Sequence, residues 1–366
     1  MSSWLILSSL TLSSGTGIRL KGIANGLARN GNRVYTVGTG EYDHIAKGVR
    51  YIQVKGEAGP IITALKLFLA NCWAVLRTRP DFCIASKPLP QSVIPGLFAR
   101  VKGAVTLLDF DDLESAYWQG RPWQRLLKFL ERISPRLFHF TSVHTEELAK
   151  ETAERAKMSP RRILRLNQGV DVELFSSAEI ENEPVRSVIL YAAHLGVAAE
   201  GLSFVLEGFR SLARKDPHLL LLVVGGGPLL PRFQAKTRGL GLNNRVVFAG
   251  HVDHRFMPRV MRFSRAAVNY LEPESLASRY RASVKVREYL TMGLPVATNV
   301  VGSDLSPFLP FLEVFATGDV EGFARAVEQA LKRGVRRDAQ EELRQNWAWE
   351  VVVDKFLSEL RQRRLH

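Results

Sequence analysis

The run Leu219–Val224 is six apolar residues without a break, set between Pro217 and the triple glycine Gly225-Gly226-Gly227. A strand wet on one face alternates apolar with polar residues. An unbroken run needs cover on both faces, which parallel sheets flanked by helices supply. This restricts the chain to an α/β layering. The same grammar occurs twice. Trp4–Ser9 reads as a buried strand that opens a βαβ unit, with Gly15-Thr16-Gly17 in its loop, a helix ending at Asn30-Gly31 and a second strand after it. Ser187–Leu212 restarts with strand, loop and helix, and further strand runs lie at 82–86, 104–109, 139–143 and 245–252. With 366 residues, two such domains are expected rather than one.

The stretch Ser264–Ser303 shows where ligands should gather. AAVNYL is a short strand, the polar segment through Ser283 reads as a loop, and Val284 begins a helix of about two turns that Gly293 stops. Leu294–Thr298 resumes as a strand. The loop therefore lies at the carboxyl end of a parallel strand, where open α/β sheets bind ligands. Arg279, Arg281 and Lys285 crowd the helix start, where free N–H groups already favour an anion such as phosphate or diphosphate.

Lys285, Glu288, Tyr289, Met292, Gly293, Pro295 and Val296 form a Lys-x-x-Glu-Tyr pattern followed by Met-Gly-x-Pro-Val. This resembles the donor-site region of family-4 glycosyltransferases of GT-B fold. The resemblance implies that Ser283, Val284 and Lys285 receive a donor diphosphate and that Glu288 hydrogen-bonds the nucleotide ribose. Gly225-Gly226-Gly227-Pro228 resembles the family's Gly-x-Gly-Pro, and Gly250-His251-Val252 its base-lining segment. Gly15 and Gly17 take the place of its glycine-rich loop facing the cleft; as a dinucleotide fingerprint Gly15-Thr16-Gly17 is incomplete. Gln168-Gly169-Val170-Asp171, with Phe175 after it, resembles the signature at the crossing between domains, without its proline. There are departures. Tyr280 stands where the family carries a glutamate near the sugar, with Glu272 and Glu274 in the same loop as substitutes. His194 and Glu200 stand where it carries an arginine and a lysine on the diphosphate.

A dense carboxylate cluster, Asp109, Asp111, Asp112 and Glu114, follows the strand ending AVTLLD. Related glycosyltransferases have Asp-x-His-Asp here, and Asp111 takes the histidine position. A carboxylate at this point orients a sugar hydroxyl, accepts its proton or stabilises positive charge at the anomeric carbon. Asp109 and Asp111 at a strand end also suit a magnesium-dependent phosphatase, but Leu113 departs from that pattern.

The net charge of +14 points to an anionic partner. Around Trp123 a helix places Leu126, Leu127, Leu130 and Ile133 on one face and Arg125, Lys128 and Arg132 on another. That pattern fits a face seeking anionic lipid or an ordinary core-facing helix with a solvated back. Ile61–Leu76 is apolar nearly all round, so it is either a buried helix or one that meets lipid; a core position is the expectation, and Lys66 and Asn71 interrupt a clean membrane span. Two cysteines, Cys72 and Cys83, give neither a disulfide framework nor a zinc pattern, in keeping with a reducing compartment. No nucleic-acid recognition motif accompanies the basic charge.

The expectation is thus two doubly wound Rossmann-like domains, 1–170 on the acceptor side and 171–345 on the donor side, facing across a cleft as in GT-B. Residues 346–366 form a terminal helix crossing back to the first domain. The resemblance implies a retaining glycosyltransferase that moves a sugar from a nucleotide-sugar to a glycan or lipid-linked acceptor. Catalysis is expected from Asp111, Lys285 and Arg281. Donor contacts are expected from Gly15, Gly17, His194, Gly225–Gly227, His251, Val252, Arg279, Tyr280, Ser283, Val284, Lys285 and Glu288, and acceptor contacts from Asp109 and Asp112. Neither metal nor cofactor is expected, nor is an obligate protein partner. The expected location is cytoplasmic, peripheral on the inner membrane face. The alternative is a non-catalytic relative that binds nucleotide-sugar or supports a partner enzyme.

Overall fold

The computed structural model describes residues 1–11, 14–42, 44–55, 59–117, 120–176, 187–196, 201–300 and 302–364. Glu200 lies outside the described residues, as does all but Ser176 of the polar, acidic stretch Ser176–Pro184 that reads in the sequence as the linker between the two domains. The chain divides into two compact units. Unit 1 comprises Met1–Gly169, Tyr280–Ala282 and Asn346–His366; unit 2 comprises Val170–Arg279 and Ser283–Gln345.

In the first half the strands are β1 (Ser3–Thr11), β2 (Arg33–Thr39), β3 (Val49–Gln53), β4 (Phe82–Ser86), β5 (Val105–Asp109), β6 (Phe140–Val143) and β7 (Ile163–Arg165). The helices between them are α1 (Gly15–Arg29), α2 (Pro60–Thr78), α3 (Pro90–Val101), α4 (Glu114–Tyr117), α5 (Gln124–Leu137) and α6 (Glu146–Ala156). All seven strands pair in parallel in the order β3-β2-β1-β4-β5-β6-β7. Strand alternation explains the apolar run at the start. Trp4 and Ile6 join the core under α1, while Leu5 and Leu7 join the core under α2 and α3.

The second half holds β8 (Val188–Ala192), β9 (Leu220–Val224), β10 (Val246–Gly250), β11 (Ala266–Asn269), β12 (Val296–Thr298) and β13 (Leu312–Val314). Its helices are α7 (Val172–Ser176), α8 (Gly201–Lys215), α9 (Leu230–Gly239), α10 (Met257–Met261), α11 (Leu276–Tyr280), α12 (Val284–Thr291), α13 (Val320–Arg333), α14 (Arg337–Asn346) and α15 (Trp349–Arg364). The sheet order is β10-β9-β8-β11-β12-β13, again parallel where pairs are registered, for example Leu190 beside Leu222. In both sheets the order reverses at the first strand, between β1 and β4 and between β8 and β11. Doubly wound folds place ligands at such switch points.

The terminal helix α15 belongs to unit 1. Trp349 is buried where Gly22, Gly26 and Gly169 leave room: a Cβ built on these glycines would lie 2.0 Å, 2.6 Å and 2.7 Å from Trp349 atoms. This close approach is a packing reason for Gly169 in the Gln168-Gly169-Val170-Asp171 run. Asp171 accepts from Leu174 N–H at 3.1 Å in the first turn of α7.

Two expectations change. The segment expected as loop through Ser283 contains α11, and Tyr280–Ala282 groups with unit 1. The core position expected for Ile61–Leu76 does not hold. Helix α2 buries only Leu67, Asn71, Ala74 and Val75, because a helix lying on a sheet can cover it with one stripe.

Candidate functional site

Strand β5 delivers Asp109 to the carboxyl edge of the first sheet. Arg19, on the buried face of α1, meets it as a fork: Nε to Oδ2 and Nη2 to Oδ1 are both 2.9 Å. Ser142 Oγ donates to Asp109 Oδ1 at 2.8 Å, and Arg19 Nη2 also donates to the Leu166 carbonyl at 2.8 Å. Burial by itself would lower the Arg19 pKa; the Asp109 carboxylate reverses this and leaves it raised. With both oxygens engaged, Asp109 is a residue that fixes α1 to the sheet edge.

Two residues further, Asp111 accepts from Thr16 Oγ1 at 3.0 Å and lies 3.2 Å from Lys87 Nζ. Lys87 also pairs with Glu114 and sits in the left-handed region, at φ 59°, just past the end of β4. A buried ammonium is held well above its ordinary pKa here, because Asp111 and Glu114 outweigh the cost of desolvation. For Asp111, burial raises the pKa, but Lys87 and then Arg19 and His144 bring it below the ordinary value, so it is ionised. Asp112 goes the other way. Burial is the first cause, Asp111 adds to it, and opposing pulls from Lys87 and Arg281 leave it at about 7. Its Oδ2 accepts from Tyr117 Oη at 3.1 Å. Adjacent carboxylates split in this way give one fixed charge and one group that changes protonation near neutrality. Since Asp109 and Asp111 each face a cation, they do not present the paired free oxygens that a magnesium phosphatase would need.

His144, at the end of β6, accepts from Ala282 N–H at 2.9 Å through Nε2, while Thr145 Oγ1 donates to the Tyr280 carbonyl at 3.1 Å. Tyr280 is buried among Phe110, Leu148 and Ala156, and its hydroxyl donates to Glu151 at 3.0 Å. Its side chain is committed to the core of unit 1. Arg281 beside it is half-buried and Arg279 is exposed. Gly15 opens α1 with nothing near its Cβ position, and the Gly17 N–H is capped by Ser14 Oγ at 3.1 Å.

In unit 2 the loops after β8, β9 and β10 are laced together. Gly225 N–H donates to the Gly250 carbonyl at 2.7 Å and Leu195 N–H to the Gly226 carbonyl at 2.9 Å. Gly225 and Gly227 have φ of 137° and 155°, and a Cβ there would lie 1.8 Å from the Ala193 carbonyl oxygen and 2.3 Å from that of Leu195. These two glycines exist because strand-end loops meet backbone to backbone. His251 lies beside Gly226; it and His194 are exposed, and Val252 is half-buried.

Helix α12 follows β11, on the far side of the switch point from β9. Lys285, in its first turn, reaches back to β8: Nζ donates to the Ala192 carbonyl at 2.8 Å and lies 5.7 Å from the centre of the Tyr191 ring. An ammonium is thus set at the switch point of the second sheet. The Ser283 N–H is taken by Asp304 Oδ2 at 2.7 Å, and buried Arg287 forks onto the same carboxylate at 2.7 and 3.0 Å. This braces the helix start; the amides from Val284 onward are the first-turn donors that an α-helix leaves for a ligand. Glu288 is buried, with Oε1 2.6 Å from His254 Nε2, and the His254 ring packs edge-on to Phe175. Glu272 brings Oε1 to within 3.4 Å of a Cβ built on Gly201, at the start of α8.

Sequence reasoning missed Arg19, Lys87, His144 and His254. The signal for the first three was present: each is a basic residue at, or one helix turn from, the carboxyl end of a parallel strand. His254 carried none.

Residues 186–333 match the family model described as Glycosyl transferases group 1. The chain is similar to alpha-D-kanosaminyltransferase of Streptomyces kanamyceticus, 24% identical over a match that covers 56% of this chain and 53% of that enzyme, so it matches about half that relative's length. Sucrose-phosphate synthase from Thermosynechococcus elongatus superposes with a TM-score of 0.75 at 15% identity, covering 99% of each chain. Anabaena HepE, solved in complex with UDP, superposes with a TM-score of 0.69 at 15% identity, covering 99% of this chain and 100% of that one. The two Rossmann-like units therefore have the fold of GT-B glycosyltransferase structures, and the segment 186–333 is similar to the glycosyl transferases group 1 family.

Proposed function

We propose that the protein is a retaining family-4 glycosyltransferase in which unit 2 holds a nucleoside diphosphate-sugar and unit 1 holds the acceptor. The observation that carries this is Lys285, held at the switch point between β8 and β11 beside the first turn of α12. A diphosphate leaving group gains negative charge as its bond to the anomeric carbon breaks. An ammonium and oriented amides at that point lower the barrier without reorganising. Arg281 and Arg279 add positive charge to the chain just before α12. Structures of Anabaena HepE were solved with UDP and with UDP-glucose, which makes uridine nucleotides the first donors to test.

On the acceptor side, ionised Asp111 orients a hydroxyl, and Asp112 accepts its proton as the new bond to the anomeric carbon forms on the face the diphosphate leaves. Asp109 acts through Arg19, positioning α1 and the Gly15–Gly17 turn. A lipid-linked or envelope glycan acceptor, met from the cytoplasmic side, fits the basic charge of the chain.

The second reading, a non-catalytic nucleotide-sugar binder, is favoured by Tyr280. The family's sugar-side glutamate is replaced by a tyrosine whose ring and hydroxyl are both spent inside unit 1. One experiment separates the readings. Nucleoside diphosphate-sugars are screened by thermal shift, and each binder is then assayed for slow donor hydrolysis and transfer to glycosyl acceptors. Nucleotide release supports catalysis; tight binding with no turnover across the panel supports the second reading.

A further inference from the structure

Helix α2 presents Ile61, Ile62, Leu65, Leu69, Trp73 and Leu76 outward; Leu69 is 58% and Trp73 54% exposed. Their spacing of three and four residues makes one continuous apolar stripe. Soluble monomers rarely leave such a patch uncovered. The opposite stripe is fixed: Asn71 Nδ2 donates to the carbonyls of Ser8 at 3.0 Å and Gln91 at 2.7 Å, and Ala74 and Val75 pack on the sheet. By length and composition α2 could cross a membrane. With Asn71 bonded into the sheet edge, it instead lies along the protein with one face in and one face out.

Charge identifies what covers that face. Neither α2 nor α3 contains an acidic residue, and the one acid of α5, Glu131, is buried with both oxygens taken by Ser115. Exposed cations remain: Arg77 on α2, Arg100 on α3, and Arg125, Lys128 and Arg132 on α5. Trp123, Leu126 and Phe129 are exposed among the last three. These helices lie on one side of the first sheet: α2 packs on α3, and α5 packs on α6, whose Leu148 shares a core with Val93 of α3. Helix α6 does expose Glu146 and Glu154, beside Lys150 and Lys157, so the face in question is that of α2, α3 and α5, whose exposed charges are all positive. An apolar stripe beside such charges matches an anionic bilayer, whose headgroups meet the cations while its acyl region receives the stripe.

We propose that α2, assisted by the exposed face of α5, docks unit 1 onto an anionic lipid bilayer with α2 lying in the interface plane. This is independent of sugar transfer, because docking is read without turnover. The test is flotation of the full chain with vesicles of phosphatidylcholine alone and of phosphatidylcholine mixed with phosphatidylglycerol. Binding to the mixed vesicles is expected, stronger than to the neutral ones and weakened by salt. Leu65→Glu with Leu69→Glu should abolish it while leaving the unfolding midpoint unchanged, because both side chains are exposed. Lys128→Gln should lower partitioning about fivefold, equivalent to about 1 kcal/mol. Absence of flotation with the mixed vesicles at low salt overturns the proposal. So does a concentration-dependent dimer that the Leu65/Leu69 variant disrupts while wild type ignores lipid, which would assign the stripe to a second copy of this chain.

Discussion

Replacing Asp109 with asparagine keeps the shape of the side chain and removes one charge. In wild type Arg19 is 2% and Asp109 0% exposed, joined by two hydrogen bonds of 2.9 Å, with Ser142 on the same carboxylate. Asp109→Asn leaves a guanidinium buried with carbonyl partners but without its counter-charge. Breaking one side of a buried ion pair costs about 3–5 kcal/mol, and two unit charges about 4 Å apart at an effective dielectric of 20 give about 4 kcal/mol, in the same range. Against a typical stability of about 5–15 kcal/mol, that is a large fraction. The assay is urea unfolding followed by tryptophan fluorescence. All six tryptophans, at 4, 73, 118, 123, 347 and 349, fall within the residue ranges of unit 1, so the signal reports that unit. The double variant Arg19→Met with Asp109→Leu should recover much of the loss, since it leaves no unpaired charge. A loss under about 1 kcal/mol for Asp109→Asn, the range of an exposed pair, would refute the reasoning.

Three other outcomes follow from the same geometry. Trp349→Ala should destabilise unit 1 by about 3–5 kcal/mol, the usual range for emptying a buried aromatic site, read by circular dichroism during unfolding; a change within about 0.5 kcal/mol, as at an ordinary surface site, would mean that α15 is not anchored there. Gly227→Ala should weaken nucleotide binding in calorimetry, because its Cβ collides with the Leu195 carbonyl and shifts the strand-end loop; unchanged affinity contradicts that placement. Burial holds Asp112 at about 7, so the folded chain keeps a proton there that the unfolded chain loses at ordinary carboxylate pH. Its contribution to stability therefore falls as pH rises toward about 7, and Asp112→Asn should remove that slope; a wild-type-minus-variant difference that stays flat over this window rejects it.

Much of the scaffold was legible because it rests on local rules. The run Leu219–Val224 holds β9, and Gly293 ends the turn after α12. The fork between Arg19 and Asp109 and the pair between Lys87 and Asp111 join residues far apart in sequence, so no spacing announces them. The outward stripe of α2 was illegible for another reason. A helix apolar on every side carries no periodic signal of which face meets the sheet; Asn71, read as an interruption, is the residue that fixes the inner face. Tyr280 was read against a family pattern as a donor-side position, whereas its ring and hydroxyl pack within the first unit, a long-range preference that the loop sequence did not express.

The central claim is that a nucleoside diphosphate rests against the first turn of α12 beside Lys285. The direct measurement is calorimetric titration of wild type and Lys285→Ala with UDP and other nucleoside diphosphates. The account predicts that at least one nucleotide binds wild type and that the variant weakens it by a factor of about 10–100, the loss expected for one hydrogen bond to a charged group. Equal affinity in both proteins, or no binding of any nucleoside diphosphate to wild type, would contradict it.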